Sequence, residues 1–247
     1  TDRFNVFGGR ASATFTGGTD GGLLGTGRAD QSIIYRNKIK AFQFGAQIQT
    51  KGGNDDKIID GFGFSAQLEL NQNISIGAAF NRAFIAQNLI DDNHILGLSG
   101  HPTFYSIGLK YTSKQFDVSL LGILQQNGDF IPISYQSENT INPSYVFDAK
   151  GFETALKYKL NKFSILGGYN LYVPETKKSV ENIIIDKNFR RSDFITGLEY
   201  YPMKYVQLYT EQRISFGKNY IGKKEQSVFT LGMKLDLSRQ FNKKLNL

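Results

Sequence analysis

The chain has 247 residues, no cysteine, no tryptophan, 26 glycines, only 5 prolines and a formal net charge of +7. Disulfides, thiolate metal centres and cysteine nucleophiles are excluded, and no stretch approaches the roughly 20 apolar residues of a membrane-spanning helix. A membrane β-strand needs only about 9–11 residues, half of them apolar, so a barrel stays open.

No signal-peptide pattern opens the sequence, which implies a removed leader or an internal start. Residues 1–27, TDRFNVFGGRASATFTGGTDGGLLGTG, crowd glycines with little alternation. They read as a structured Gly-rich loop, with room for a short strand from Phe4 to Thr14.

Strand-like alternation then sets in. Ala29, Gln31, Ile33 and Tyr35 alternate with Arg28, Asp30, Ser32, Ile34 and Arg36, and Asn37-Lys38-Ile39 links to Phe42, Phe44, Ala46 and Ile48. After the polar KGGNDDK loop, Phe62, Phe64, Ala66, Leu68 and Leu70 oppose Ser65, Gln67, Glu69 and Asn71. The Asn71-Gln72-Asn73 turn leads into Ile74, Ile76, Ala78 and Phe80, completing a hairpin. A long loop from about Ile85 to Pro102 follows. Tyr105 to Thr112, a Ser113-Lys114 turn and Phe116 to Gln125 form the next hairpin, where Leu121 and Ile123 interrupt the polar face. A second long loop is expected from about Asn127 to Ala149. Two more hairpins turn at Asn161-Lys162 and Pro202-Met203-Lys204, with a loop from Pro174 to Lys187 between them. The loop from Gly217 to Glu225 precedes a last strand containing Phe229, Leu231, Met233 and Leu235.

About eleven strands result, with links alternating short and long. Membrane barrels have short turns at one end and long loops at the other; a Greek-key sandwich has no reason to. No helix-period segment competes. A single all-β domain over 1–247 is expected: an antiparallel up-and-down barrel with strands in 28–247. Periodicity alone does not say which face meets water. Charges within the polar faces, at Lys110, Lys157, Glu199 and Glu211, suit a wet lumen. Aromatic pairs at both strand ends (Tyr105 with Tyr111, Phe152 with Tyr158, Phe194 with Tyr200) suit interfacial girdles. A closed barrel also pairs every backbone group in lipid. These features favour apolar side chains outward.

Chemistry of other kinds lacks its pattern. His94 and His101, with Asp91 and Asp92, have no metal-ligand spacing. No nucleophile elbow appears, and no strand–loop–helix frames the glycines as a phosphate loop. Nucleic-acid binding is discounted because the aromatics fall on the apolar phase. Lys177-Lys178 and Lys223-Lys224 read as solvated loop lysines, with lipopolysaccharide phosphates as the other reading.

Tyr35-Arg36-Asn37 followed by Phe44-Gly45-Ala46-Gln47-Ile48, the Gly61 to Ala83 hairpin, Phe194 to Ile214 and the closing FTLGMKLDL together resemble the general diffusion porins of Gram-negative outer membranes. The resemblance runs through nearly the whole chain in order. It implies a water-filled channel for passive diffusion of small hydrophilic solutes, no cofactor or catalytic step, a homotrimer, and contact with outer-membrane lipid and lipopolysaccharide. It also implies that a long loop folds into the lumen. Phe7-Gly8-Gly9 matches that loop's motif, although Val6 stands where an acidic residue is usual and Arg10 follows the glycines. The constriction set implied is Asp2, Arg3, Arg10 and Asp20 on the loop, with Arg28, Asp30 and Arg36 on the wall at its base. Lys110, Lys157, Glu199, Glu211 and Arg213 would line the lumen further round. With the loop at residues 1–27, about five preceding strands of a roughly 16-stranded barrel are expected, since an odd count closes no standard bacterial barrel. The alternative is a complete 12-stranded barrel using Phe4 to Thr14. Family chains end on a phenylalanine; here RQFNKKLNL runs past Leu237, with Phe241 as a counterpart. A non-conducting barrel serving as a structural or assembly component is the competing function.

Overall fold

The computed structural model describes residues 32–50, 59–85, 87, 90, 98–132, 144–175 and 186–236. Eleven strands run through them: β1 (Ser32–Ile39), β2 (Phe42–Gln49), β3 (Gly61–Glu69), β4 (Ile74–Ala83), β5 (Thr103–Thr112), β6 (Phe116–Pro132), β7 (Ser144–Leu160), β8 (Phe163–Pro174), β9 (Arg191–Met203), β10 (Val206–Ser215) and β11 (Val228–Leu235). They form one sheet in chain order, each strand antiparallel to the next. Among the described residues β1 and β11 each pair on one side only. The expected strand from Phe4 to Thr14 lies outside the described residues.

Short turns close one end. Asn71 Oδ1 accepts hydrogen bonds from the Asn73 and Ile74 amides, at 2.8 and 2.9 Å. Ser113 Oγ accepts from the Phe116 amide at 2.9 Å. These side chains replace backbone partners in the turn, a habit of Asn and Ser. The first turn lies later than expected. Asn37, Lys38 and Ile39 belong to β1, and Lys40-Ala41 makes the reversal, with Lys40 at φ 53°. Lys38 is held in the ladder opposite Gln43, and a two-residue hairpin loop takes positive φ values.

The larger correction concerns residues 127–149. β6 and β7 each run 17 residues, so most of the expected loop is strand. The register shifts between Gln125 and Asp129, then the ladder resumes from Asp129↔Phe147 to Pro132↔Ser144. At the bulge Asn127 takes φ 50°, its amide donates to Asp148 Oδ1 at 2.8 Å, and its own Oδ1 accepts from the Ser99 amide at 3.0 Å. An extra residue in one strand breaks period-two alternation, which hides the continuing strand.

The burial pattern inverts that of a water-soluble protein. Buried polar residues include Ser119, Gln125, Asn170, Asp193, Glu199, Glu211 and Ser215. Their strand neighbours Leu120, Leu124, Phe194, Leu198 and Phe216 are exposed. Ile107 is 68% exposed and Leu231 74%. Such a sheet has a polar inner face and an apolar outer face, the arrangement of a lipid-spanning barrel. Aromatics stack on that outer face near the short-turn end, with Phe116 on Tyr158 at 4.6 Å and Phe163 on Tyr200 at 4.7 Å between ring centroids.

Candidate functional site

The candidate site is the inner wall itself. Direct pairing carries one side-chain parity from strand to strand. Arg36, Gly45, Ser65, Ala79, Ser106, Ile123, Gly151, Tyr172 and Arg191 therefore form one inward-facing row across nine strands.

Four ion pairs lie on this face among the described residues. Near the short turns, Lys38 on β1 reaches Glu69 on β3 at 2.8 Å, across the intervening β2. Lys159 on β7 lies 2.7 Å from Asp117 on β6. Lys157 on β7 reaches past β8 to Glu199 on β9 at 2.5 Å. The Tyr201 hydroxyl donates to the same Glu199 oxygen at 2.6 Å, and Lys157 donates to that hydroxyl at 3.2 Å. Reaching over a whole strand requires a small residue or an open face between the partners. Gln43 lies beneath the first span, whereas Ser164 and Leu166 flank the other. Towards the long-loop end, Asp193 accepts from Ser215 Oγ at 2.7 Å and lies 3.1 Å from Arg191 Nε. Charge-assisted bonds of this kind hold long side chains flat against a wall.

Small residues shape the opposite part of the wall. Gly45, Ser65, Gly77, Ala79 and Gly108 floor a depression of about 310 Å³ with Arg36 at its margin. Beside it rises an apolar cluster of Phe104, Leu121 and Ile123, all buried on the inner face. Further round, the Tyr209 ring lies over Gly232, where an added Cβ would come within 2.3 Å of it. A cross-strand aromatic covering a glycine protects a weak strand position.

Arg36 stands on the inner face of β1, exposed. Lys110 is half-buried on β5 between Ser75 and Ser119. Lys157 and Glu199 are brought together, as above. Glu211 is buried on β10 opposite Gly197 and Thr230. Arg213 is half-buried two residues along, and its Nη2 donates to the Gln226 carbonyl at 3.2 Å. Asp2, Arg3, Arg10, Asp20, Arg28 and Asp30 lie outside the described residues. His101 accepts a 3.3 Å bond from the Ile85 amide at Nδ1 and packs edge-on against Phe84. His94 lies outside the described residues.

Sequence reasoning missed Tyr201, Asp117, Lys159, Arg191 and Asp193 as members of the inner charge groups. Their signal was their parity: each shares the phase of a charged residue already singled out. Phe104 was also missed, because an aromatic beside Tyr105 carries no mark of which of the two points inward.

No protein-family model and no curated protein matches the chain. Solved structures do. Salmonella typhi OmpF, in a complex with daunomycin, aligns at TM-score 0.63 and 13% identity over 82% of this chain and 61% of that one. The outer-membrane channel DcaP of Acinetobacter baumannii aligns at TM-score 0.60 and 10% identity, over 82% and 61%. An anion-selective porin from Comamonas acidovorans aligns at TM-score 0.53 and 12% identity, over 83% and 58%. The chain thus spans about three fifths of the length of these porins. At identities this low the likeness shows architecture alone: the described strands have the fold of a porin-type antiparallel β-barrel wall.

Proposed function

We propose that the chain is part of an outer-membrane porin, a water-filled channel through which small hydrophilic solutes and ions diffuse passively. The observation that carries this reading is the inverted wall: Asp193, Glu199 and Glu211 are buried on the inner face while Ile107, Phe194 and Leu231 face outward. Buried carboxylates are costly in an apolar core, and here two of them are paired on the polar face, Glu199 with Lys157 and Asp193 with Arg191. The inner wall binds, repels and orders passing ions and has no reaction to perform. Selectivity in such a pore follows from its charge rings and its width. About five further strands, N-terminal to β1, would complete a roughly 16-stranded barrel. Residues 1–27 would form the constriction, with Asp2, Arg3, Arg10 and Asp20 facing Arg28, Asp30 and Arg36. A homotrimer is part of the same proposal.

Planar-bilayer recording of the full-length folded protein tests it. Stepwise single-channel conductance is expected. Inserted, folded protein that never conducts would leave the wall as a scaffold and remove the channel. Charge reversal by Arg10→Glu, Arg28→Glu or Arg36→Glu should shift the reversal potential in a salt gradient. An unchanged potential would remove the constriction assignment while leaving the pore.

A further inference from the structure

At the long-loop end the ladder between β9 and β10 continues past its named strands. Phe216 donates its amide to the Ser192 carbonyl at 2.8 Å. Arg190 and Lys218 then exchange both backbone hydrogen bonds, at 3.1 and 3.0 Å. Lys218 also pairs with Lys224 across a tight hairpin. There the flanking bonds run from the Asn219 amide to the Lys223 carbonyl (2.8 Å) and from the Glu225 amide to the Gly217 carbonyl (3.2 Å). That pattern marks a non-hydrogen-bonded pair, the type that brings opposed side chains closest.

Three cations therefore stand side by side across three extended segments. Directly opposed residues point to the same side of a sheet. Lys218 follows Ile214 and Phe216 in parity, and Arg190 precedes Ser192 and Phe194. The side is the apolar outer one, where Phe194 and Phe216 are exposed. Lys218 lies two positions beyond Phe216, about 7 Å along a strand. The row thus lies just above the outer aromatic edge, at the level of lipid headgroups.

Like charges directly opposed destabilise a ladder, yet this segment is closely built. Asn219 Oδ1 accepts from the Ile221 and Lys223 amides at 3.2 and 2.8 Å. Gly222 supplies a φ of 80°. The Asp186 amide donates to the Tyr220 carbonyl at 2.9 Å, tying the hairpin to the neighbouring loop. Among the described residues, five exposed cations (Lys187, Arg190, Lys218, Lys223, Lys224) share this cap with two carboxylates, Asp186 and Glu225. The Asp186 carboxyl is held below the usual carboxylate range, first by the Asn188 amide and then by the charges of Lys218 and Lys187. Among the described residues Arg190, Lys218 and Lys224 form no ion pair with it or any other carboxylate.

We propose that Arg190, Lys218 and Lys224 form an outward-facing anion site that holds a phosphate of lipopolysaccharide in the outer leaflet. The phosphate screens the row of cations, and the acyl chains continue down over Phe216, Ile214 and Phe194. The assignment rests on the outer-membrane reading above and is independent of conduction.

The probe is labelled lipid A carrying both phosphates, titrated onto the full-length folded protein in nanodiscs. Lys218→Gln/Lys224→Gln should weaken binding by roughly ten-fold or more, and Lys218→Arg/Lys224→Arg should restore it. Lys114→Gln, on a short turn at the opposite end, should change nothing. Lipid A stripped of phosphate should bind the unaltered protein as weakly as the Gln pair binds the native lipid. Inorganic phosphate should fail to compete at the lipid's concentration. Binding by the Gln pair within two-fold of the parent overturns the proposal, as does equal binding of dephosphorylated lipid A. Full competition by inorganic phosphate overturns the lipid as its source. Single-channel conductance of the Gln pair reports that the wall is folded. Should the pair fail to fold, Arg190→Gln and the phosphate-free lipid carry the same decision.

Discussion

Ile107→Arg, set beside Ser106→Arg, separates a lipid-spanning wall from a water-soluble one by opposite signs. Ile107 sits mid-strand on β5, 68% exposed, between Ala78 and Gly122 on the outer face. Neither neighbour offers a carboxylate, and the strand centre is the depth at which snorkelling is longest. Arginine at a bilayer midplane costs a barrel about 2–4 kcal/mol. That range corresponds to roughly 30- to 700-fold in the folding constant. Ser106 is adjacent but faces inward, beside the 310 Å³ depression. An arginine there has room and water, and should cost less than about 1 kcal/mol. In a soluble sheet with the same coordinates, Ile107 already faces water, so its replacement would be neutral to within about 0.5 kcal/mol. Urea titration of the protein folded into vesicles, followed by tryptic protection, gives both values. A cost for Ser106→Arg equal to or above that for Ile107→Arg would refute the inverted wall.

The ion pairs differ in burial and should differ in worth. Glu199→Ala strands Lys157, whose side chain is 17% exposed against 8% for Glu199, and should cost about 2–3 kcal/mol in the same titration. Lys38→Ala breaks a pair that is 50% and 41% exposed and should cost under about 1 kcal/mol. Gly232→Val drives a side chain into the Tyr209 ring, and should cost about 1–3 kcal/mol; Tyr209→Ala in the same chain should recover part of that loss, and a strictly additive double variant would deny the contact. Asp186 has a lowered folded-state pKa because it accepts the Asn188 amide. Its contribution to loop order is therefore present above the ordinary carboxylate range and lost as pH falls through the lowered value. The Asn188 amide resonance should titrate with a midpoint below that of an unperturbed aspartate, and Asp186→Asn should abolish the transition.

Architecture was legible wherever period two was unbroken. The Gly61 to Phe84 hairpin alternates from end to end, and β3 and β4 occupy it with the expected turn at residues 71–73. Legibility failed where a single residue interrupts the period. The bulge at Asn127 hides the outer parts of β6 and β7, and the expected link Asn37-Lys38-Ile39 is the end of β1. The inner face was harder. Alternation says which residues share a side, so Lys157, Glu199 and Glu211 could be grouped. It is silent on which side chains meet, because Lys157 and Glu199 lie 42 positions apart with a whole strand between them. Inward apolar residues such as Leu121 registered only as interruptions. Their clustering with Phe104 depends on register across β5 and β6. The cation row at Arg190, Lys218 and Lys224 was half visible as a lysine pair, and its geometry needed two β-bridges that no spacing rule encodes.

Nearest-neighbour pairing has a kinetic meaning. Every ladder among the described strands joins elements adjacent in sequence, so each new strand docks after closing only one loop. Loop-closure entropy grows slowly with length, and chains rich in local contacts fold fast. Such a wall can zip up one hairpin at a time, each ladder forming before the next strand docks. Substitutions in the ladders that form first should therefore act mainly on the folding rate, and those in the ladders that form last on how long the finished wall lasts.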